Sequence, residues 1–329
     1  MNPSMTNETS HKNLENILVI KLGALGDFVQ ALGPMKAIRD HHPNAHITLM
    51  TTSPFEEFGQ DCGYFDHVWV QNRMRWHHFG AWRALRKILK DSQFDRVYDL
   101  QNNDRTAFYF RMFPRHNKPQ WVGTAVGASH RNISPARTAG SAFAGHVQTL
   151  GLAGIENVEI DKLSWMRGSI ASFRLPAPFV LLIPGSAPSR LEKRWPAAFY
   201  GTLANKLYDN GYTPVIVGSR SDHDLGVTIH SVCNHAINLS GRTTLKDLVL
   251  LARSARGAIG NDTGPMHMIA PTGCPALVLF SRHSRPSRHA PQGANVSICQ
   301  QDDLKDLTAE TVWQETEKLL GTPNIIPAS

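Results

Sequence analysis

Two strings of alternating strand-like and helix-like segments, parted by a break near residues 151–178, predict an α/β protein of two Rossmann-like, doubly wound domains facing a central cleft. Three observations carry this expectation. Short apolar runs recur at strand length, segments with apolar residues at helical spacing follow them, and the alternation restarts after RLPAPF, which holds two prolines in six residues. The 329 residues suit two domains of ordinary size, and 41% hydrophobic with 19% charged residues marks a globular chain. The expected divisions are a loose polar tail at 1–14, an N-terminal domain at 15–170, a linker at 171–178, a C-terminal domain at 179–320 and a second tail at 321–329.

In order, Ile17 to Lys21 is a buried-strand pattern. Phe28 to Asp40 follows with Val29, Leu32, Met35 and Ile38 among its apolar positions, and His42 with Pro43 ends it. HITLMTT and HVWVQ read as strands, AWRALRKILKD as a helix with Leu85, Ile88 and Leu89 on one face, and FDRVYDLQ as the next strand. After the break, FVLLIPGS is a strand, AAFYGTLANKLYDNG a helix ending at a glycine, and TPVIVGS and AINLSG are strands. TLKDLVLLARSA is a helix in which Thr244 and Asp247 have capping-box spacing. GAIGND and CPALVLFS are further strands, and LTAETVWQETEKLL is the last helix. Ligands of doubly wound sheets sit beyond the carboxyl ends of strands, so the informative loops follow Lys21, Leu100, Ile183, Val217, Ile259 and Phe280.

Composition narrows the function. No apolar run reaches the roughly 18 residues of a membrane-spanning helix, and the polar N-terminus lacks the apolar centre of a signal peptide. Cys62, Cys233, Cys274 and Cys299 are scattered, which fits reduced thiols in a cytoplasmic protein. A net charge of +7 implies polyanionic company. Zinc-finger spacing, an aromatic RNA-binding signature and a long Lys/Arg block are all missing, so nucleic acid is not the expected partner. Sixteen histidines, with adjacent pairs at His41–His42 and His77–His78, supply no H-x-x-x-H pair in a zinc-hydrolase arrangement, and no metal or other cofactor is expected.

Three loops hold the candidate chemistry. KLGALGDFVQ spaces its glycines as G-x-x-G-D, which is not the G-x-G-x-x-G of a dinucleotide site. Asp27 there has two readings: the N-cap of the following helix, or a general base at the cleft beside glycines that let another molecule approach the backbone. PGSAPSRLEKRWP, residues 184–196, holds Ser186, Ser189, Arg190, Lys193 and Arg194 at a strand–helix junction, and reads either as a phosphate cradle or as a solvated basic loop anchored by Trp195. GNDTGPMHMIAPTG, residues 260–273, offers Asp262, the backbone and hydroxyl of Thr263, Gly264 and, one turn on, His267. It reads as a diphosphate site or as a capped helix with a core histidine.

GALGD, YDLQNNDRTAF, PGS…KRWP and NDTGPMH with GCPALVLF stand in the order in which glycosyltransferase family 9, the bacterial lipopolysaccharide heptosyltransferases, carries them, and the likeness spans most of residues 16–320. The resemblance implies a GT-B fold and an inverting, metal-independent transferase. Such an enzyme moves L-glycero-D-manno-heptose from ADP-heptose to the Kdo or heptose of the lipopolysaccharide inner core. By position, Asp27 matches the base and Lys193 the lysine near the donor phosphates, while Asp262, Thr263, Gly264 and His267 match the nucleotide-diphosphate loop. Ser186 and Ser189 fall on the donor side. Gly26, Gln101, Asn102 and Arg105 are the candidate acceptor contacts in the N-terminal domain, and Arg111 lies nearby. The chain departs from the family at FSRHSRPSRHAPQG, residues 280–293, where a Gly-Pro-Thr-Asp-Pro-like turn is usual, and the loop before Lys193 is about two residues longer than in the family.

Inner-core acceptors lie at the cytoplasmic face of the inner membrane, which makes an anionic membrane surface an expected peripheral partner. MRWHHFGAWRALRKILK, residues 74–90, mixes Arg75, Arg83, Arg86, Lys87 and Lys90 with Trp76, Phe79 and Trp82, and reads as a membrane-surface helix or as an ordinary domain helix with a solvated basic face. Two other functions stay open: a GT-B enzyme acting on a different nucleotide sugar, including an epimerase of that architecture, and a non-catalytic sugar-nucleotide or glycan-binding module.

Overall fold

A computed structural model describes residues 15–74 and 77–321. The expected tail at 1–14, residues 322–329, and Arg75 with Trp76 lie outside the described residues.

The N-terminal half runs β1 (Asn16–Ile20), α1 (Leu25–His41), β2 (His46–Thr51), α2 (Glu56–Asp61), β3 (His67–Val70), α3 (Phe79–Asp91), β4 (Arg96–Asp99), α4 (Asp104–Met112), β5 (Gln120–Gly123), β6 (His130–Arg131) and α5 (Ala142–Gly151). The C-terminal half runs β7 (Phe179–Ile183), α6 (Ala197–Asp209), β8 (Thr213–Ile216), α7 (His223–Val232), β9 (Ile237–Asn238), α8 (Leu245–Ser254), β10 (Gly257–Asn261), α9 (Gly264–Ile269), β11 (Ala276–Phe280), α10 (Pro286–His289), β12 (Val296–Gln300) and α11 (Ala309–Leu320).

Each half holds one six-stranded sheet, ordered β3-β2-β1-β4-β5-β6 and β12-β11-β10-β7-β8-β9. Every described pairing is parallel. Counted within its own half, each sheet follows the Rossmann order 3-2-1-4-5-6, with the topological switch between β1 and β4 in one and between β7 and β10 in the other. Central strands of such sheets are covered on both faces, and ILVI of β1, FVLLI of β7 and ALVLF of β11 are accordingly buried along their length.

α1 packs against α9 across the two halves, with α5 beside α1 and α8 beside α9, and Phe28, Leu32, Met35, Leu248, Met266 and Ile269 belong to one apolar interior shared by both. Close approach is made possible by missing side chains. A Cβ on Gly264 would stand 3.0 Å from Leu25, and one on Gly33 would stand 1.9 Å from the carbonyl oxygen of Glu159. The crossing segment is tied down before residue 171: Arg253 of α8 donates to the carbonyls of Leu163 and Met166.

Several elements escaped the sequence pattern. β5, QWVG, has only Trp121 and Val122 as apolar residues and β6, HR, has none, so neither shows a strand pattern. α7 mixes His, Asp and Gly with its apolar positions, and β12 is an edge strand with only Cys299 buried. α1 starts at Leu25 rather than Phe28, which bears directly on Asp27. α3 buries Leu85 and Leu89 but leaves Ile88 44% exposed, together with Arg83, Arg86, Lys87 and Lys90, and Phe79 at its start is 69% exposed. Among the described residues, no helix is long and apolar enough to cross a membrane.

Candidate active site

The N-terminal switch point is built from the ends of β1 and β4. Lys21 leaves β1 almost wholly buried, and its Nζ donates to the Leu100 carbonyl at 3.1 Å. Asp99 accepts from the backbone N–H groups of Gln101 (3.1 Å) and Asn102 (2.8 Å). Gln101 Oε1 accepts from Leu22 N at 2.8 Å, and Asn102, at φ +50°, accepts from Thr124 N at 3.0 Å. Burial disfavours both charges here: it lowers Lys21 to about 8, opposed by Asp27 and Asp99, and raises Asp99 to about 6, opposed by the hydrogen bonds it accepts.

Asp27 is not an N-cap. Ala24 holds that position with no side-chain cap, and Asp27 sits in the first turn of α1, exposed. Of its two sequence readings, the capping one is excluded: the helix starts three residues earlier than the apolar period indicates, with Ala24 at the N-cap.

The C-terminal switch point is organised by Asn261, which is fully buried. Its Oδ1 accepts from Trp195 N (3.0 Å) and Tyr200 Oη (3.2 Å), and its Nδ2 donates to the Pro184 and Gly185 carbonyls (2.8 and 3.3 Å). One side chain thus ties the loop after β7 to the end of β10 and fixes where Lys193 and Asp262 meet. Lys193 Nζ lies 2.6 Å from Asp262 Oδ2, an ion pair that still leaves ammonium protons for a ligand. His267 is buried on α9 and pushed down to about 4, chiefly by desolvation and against the pull of Asp262 and Asp27.

Two cavities open where these loops meet. One, of about 190 Å³, is lined by Gly26, Asp27, Gln30, Lys193, Asp262, Thr263, Gly264 and His267, with Ala24, Ala187, Arg190 and His289 completing its wall. The other, of about 220 Å³, is lined by Lys21, Asp27, Leu100, Gln101, Asn102, Arg137, His146 and Arg288, with Thr138, Gly140, Ala142 and Gly145. Asp27 is common to both walls. Each cavity sits at the switch point of one sheet, where an open α/β sheet binds its ligand.

The candidates from the sequence divide accordingly. Lys193, Asp262, Thr263, Gly264 and His267 come together in the first cavity, and Gln101 with Asn102 line the second. Gly26 lines the first cavity rather than the second, and its bare Cα lies under the His267 ring. Ser186 lines neither: its hydroxyl donates to the Arg190 carbonyl (2.9 Å) and accepts from Arg194 (3.0 Å), holding the loop's shape. Ser189 is exposed outside both. Arg105 also lies outside them; its guanidinium donates to the Gln71 and Asn72 carbonyls (3.1 and 3.0 Å). Arg194 faces Asp222 at 3.5 Å. Among the described residues, no three His, Cys, Asp or Glu side chains form a metal-binding group. His42 is held by Glu15 and Tyr98, each at 2.8 Å.

Sequence reasoning missed Lys21, Gln30, Arg137, His146, Arg288 and His289. Lys21 carried a signal, a lysine ending a buried strand ahead of a glycine loop. Arg137 and Arg288 sit in segments without periodicity. The segment at 280–293 that departs from the family supplies one residue to each cavity, His289 to the first and Arg288 to the second, and Arg288 donates to the Thr138 carbonyl across the cleft at 3.2 Å.

Two Rossmann-like halves with a cavity at each switch point, meeting at one carboxylate, have the architecture of a GT-B glycosyltransferase. Residues 82–317 match the family described as glycosyltransferase family 9 (heptosyltransferase), and the chain belongs to that family. The chain is 22% identical over 294 residues to the lipopolysaccharide core heptosyltransferase OpsX of Haemophilus influenzae, covering 84% of this chain and 82% of that one. It is 35% identical over 112 residues to lipopolysaccharide heptosyltransferase 2 of Escherichia coli K12, a stretch that spans about a third, 32%, of either chain. The solved E. coli ADP-heptose lipopolysaccharide heptosyltransferase II has the same fold, with a TM-score of 0.71 at 22% identity over 93% of this chain and 98% of that one.

Proposed function

We propose that this protein is an inverting heptosyltransferase that moves heptose from ADP-heptose to a Kdo or heptose of the lipopolysaccharide inner core, at the cytoplasmic face of the inner membrane. The observation that carries the reading is that Asp27 belongs to both cavities. In this reading the cavity around Lys193, Asp262 and Thr263 takes the donor and the cavity around Lys21, Gln101 and Asn102 takes the acceptor. The lone carboxylate between them then lies where the acceptor hydroxyl must meet the anomeric carbon.

The chemistry follows from that placement. Asp27 accepts the proton of the acceptor hydroxyl as its oxygen bonds to the anomeric carbon, on the face opposite the departing ADP. The glycosidic bond to phosphate breaks and its electron pair leaves with ADP. Lys193 and the N–H groups of the Thr263–Gly264 turn face the growing charge, so no metal is called for in this scheme. Lys21, Arg137 and Arg288 make the second cavity cationic, suited to an acceptor with a carboxylate or phosphate. The basic face of α3 with exposed Phe79 supports a peripheral contact with anionic lipid. The family match and the relatives' names support heptose as the transferred sugar.

The test is calorimetric titration with ADP, UDP and GDP, without added metal, on the wild type and on Asp262→Ala, alongside turnover of Asp27→Asn. Selective ADP binding that weakens in Asp262→Ala, with Asp27→Asn losing about 10²–10⁴-fold in turnover while still binding ADP, is the expected result. A preference for UDP or GDP would replace the donor, and full turnover in Asp27→Asn would remove the base.

A further inference from the structure

Gln30 is buried on α1, in the N-terminal half, while His267 is buried on α9, in the C-terminal half. Gln30 Nε2 lies 3.3 Å from His267 Nδ1. The other end of the same amide is also committed: Gln30 Oε1 accepts from the backbone N–H of Phe143 at 3.2 Å. Phe143 is in the first turn of α5, where backbone N–H groups have no partner inside the helix. Turning the amide over would set its NH₂ against the Phe143 N–H, donor on donor. The orientation that satisfies both ends gives His267 Nδ1 a donor, so Nδ1 must carry the lone pair and the proton must reside on Nε2.

We propose that Gln30 is a positioning residue that holds His267 across the domain interface as the neutral Nε2–H tautomer, so that an imidazole N–H rather than an imidazolium serves the donor diphosphate. Which oxygen receives that N–H rests on the donor reading above; the tautomer does not. The groups that face the ring are Asp27 on α1, Asp262 at the end of β10, Lys193 after β7 and His289 on α10, two carboxylates against one cation and a second imidazole. Burial outweighs the two carboxylates and keeps the ring uncharged at neutral pH. A neutral donor has a purpose beside Asp27. An imidazolium there would hold the carboxylate that has to accept the acceptor's proton more strongly than a neutral N–H does. The bond also joins the halves: separating them takes away the donor that fixes the tautomer, so the diphosphate side is fully organised only in the closed arrangement.

The experiment is nitrogen NMR of the histidine-labelled full chain, with and without ADP, on the wild type, Gln30→Leu and Gln30→Glu. In the wild type, His267 should show Nε2 protonated and Nδ1 bare throughout about pH 6 to 8. Gln30→Glu still accepts from Phe143 but offers Nδ1 an acceptor, so the proton should move to Nδ1 or the ring should become charged. Gln30→Leu should show both tautomers and bind ADP about ten-fold more weakly, the effect of one hydrogen bond to a charged group. A wild-type ring protonated at Nδ1, or a tautomer unchanged in Gln30→Glu, overturns the proposal. The first of these outcomes overturns it even if neither variant folds. The expected tautomer without ADP binding would overturn the donor reading and leave the role of Gln30 standing.

Discussion

Gly26→Ala sets two physical effects of opposite sign against each other. Gly26 is the second residue of α1, and its φ is not among the positive ones, so alanine fits the backbone. Helix propensity alone predicts a gain of up to about 1 kcal/mol. A Cβ there, however, would stand 2.7 Å from His267 Cδ2 and 2.9 Å from Nε2. Ordinary contact begins near 3.4 Å, so the ring must give way by about 0.7 Å. It has little room to do so, being buried and held at Nδ1 by Gln30. Overpacking of this kind costs about 1–3 kcal/mol, which outweighs the helix gain and should lower the melting temperature by a few degrees, at about 2–4 °C per kcal/mol for a domain-sized unit. The functional loss should be larger. A shift approaching 1 Å in a catalytic constellation can cost about 10²-fold, and it should fall on ADP binding and turnover together. The assay is thermal unfolding in parallel with ADP titration and initial rates. An alanine variant that melts at or above the wild-type temperature, with unchanged ADP affinity and turnover, would refute the packing argument and the place it gives His267.

Other perturbations probe separate parts of the site. Arg288→Gln should raise the KM of a carboxylated or phosphorylated acceptor about ten-fold and leave ADP binding alone, since the side chain lines only the second cavity; equal KM values would detach the 280–293 segment from acceptor recognition. Asn261→Leu removes four buried hydrogen bonds, depriving Trp195 N and the Pro184 and Gly185 carbonyls of this partner while Tyr200 Oη keeps the Ile183 carbonyl, and should cost about 2–4 kcal/mol in urea unfolding, with a smaller loss pointing to water taking over the bonds. The pH dependence of stability has two opposing parts. His267 is depressed from 6.5 to about 4, so in that window the unfolded chain binds the extra proton and stability falls as pH drops. Asp99 is raised from 3.8 to about 6, so the folded chain binds the extra proton there and stability falls as pH rises through that window. In His267→Gln the loss of stability between pH 7 and about pH 4.5 should therefore shrink, by about 2 kcal/mol; an unchanged loss would mean that the histidine is already charged in the folded protein.

Much of the architecture was legible in one dimension because the signals are local. The runs ILVI, FVLLI and ALVLF are long and apolar enough to be strands buried on both faces, and Thr244 with Asp247 does form the reciprocal cap its spacing indicates. Lys193, Asp262, Thr263 and His267 stood out for the same reason: each lies in a segment that follows a buried strand, where a parallel sheet leaves its loops open. Ser186 and Arg105 looked equally suited, having the right chemistry in the right segments, and the fold uses both to hold backbone carbonyls. Nothing in a linear string separates a polar side chain that faces a ligand from one that shapes a loop.

The remaining assignments needed the third dimension. Arg137 and Arg288 share a cavity though 151 positions apart in the numbering, and Gln30 meets His267 across 237. No periodicity records such pairings, because they are set by how two sheets and their covering helices pack against each other. The sequence determined that there would be two doubly wound sheets and which loops would crown them. Only the packing of α1 against α9 decided that the two crowns meet at Asp27, since the contact depends on shape complementarity between surfaces far apart in the chain, with Gly26 lying bare beneath an imidazole.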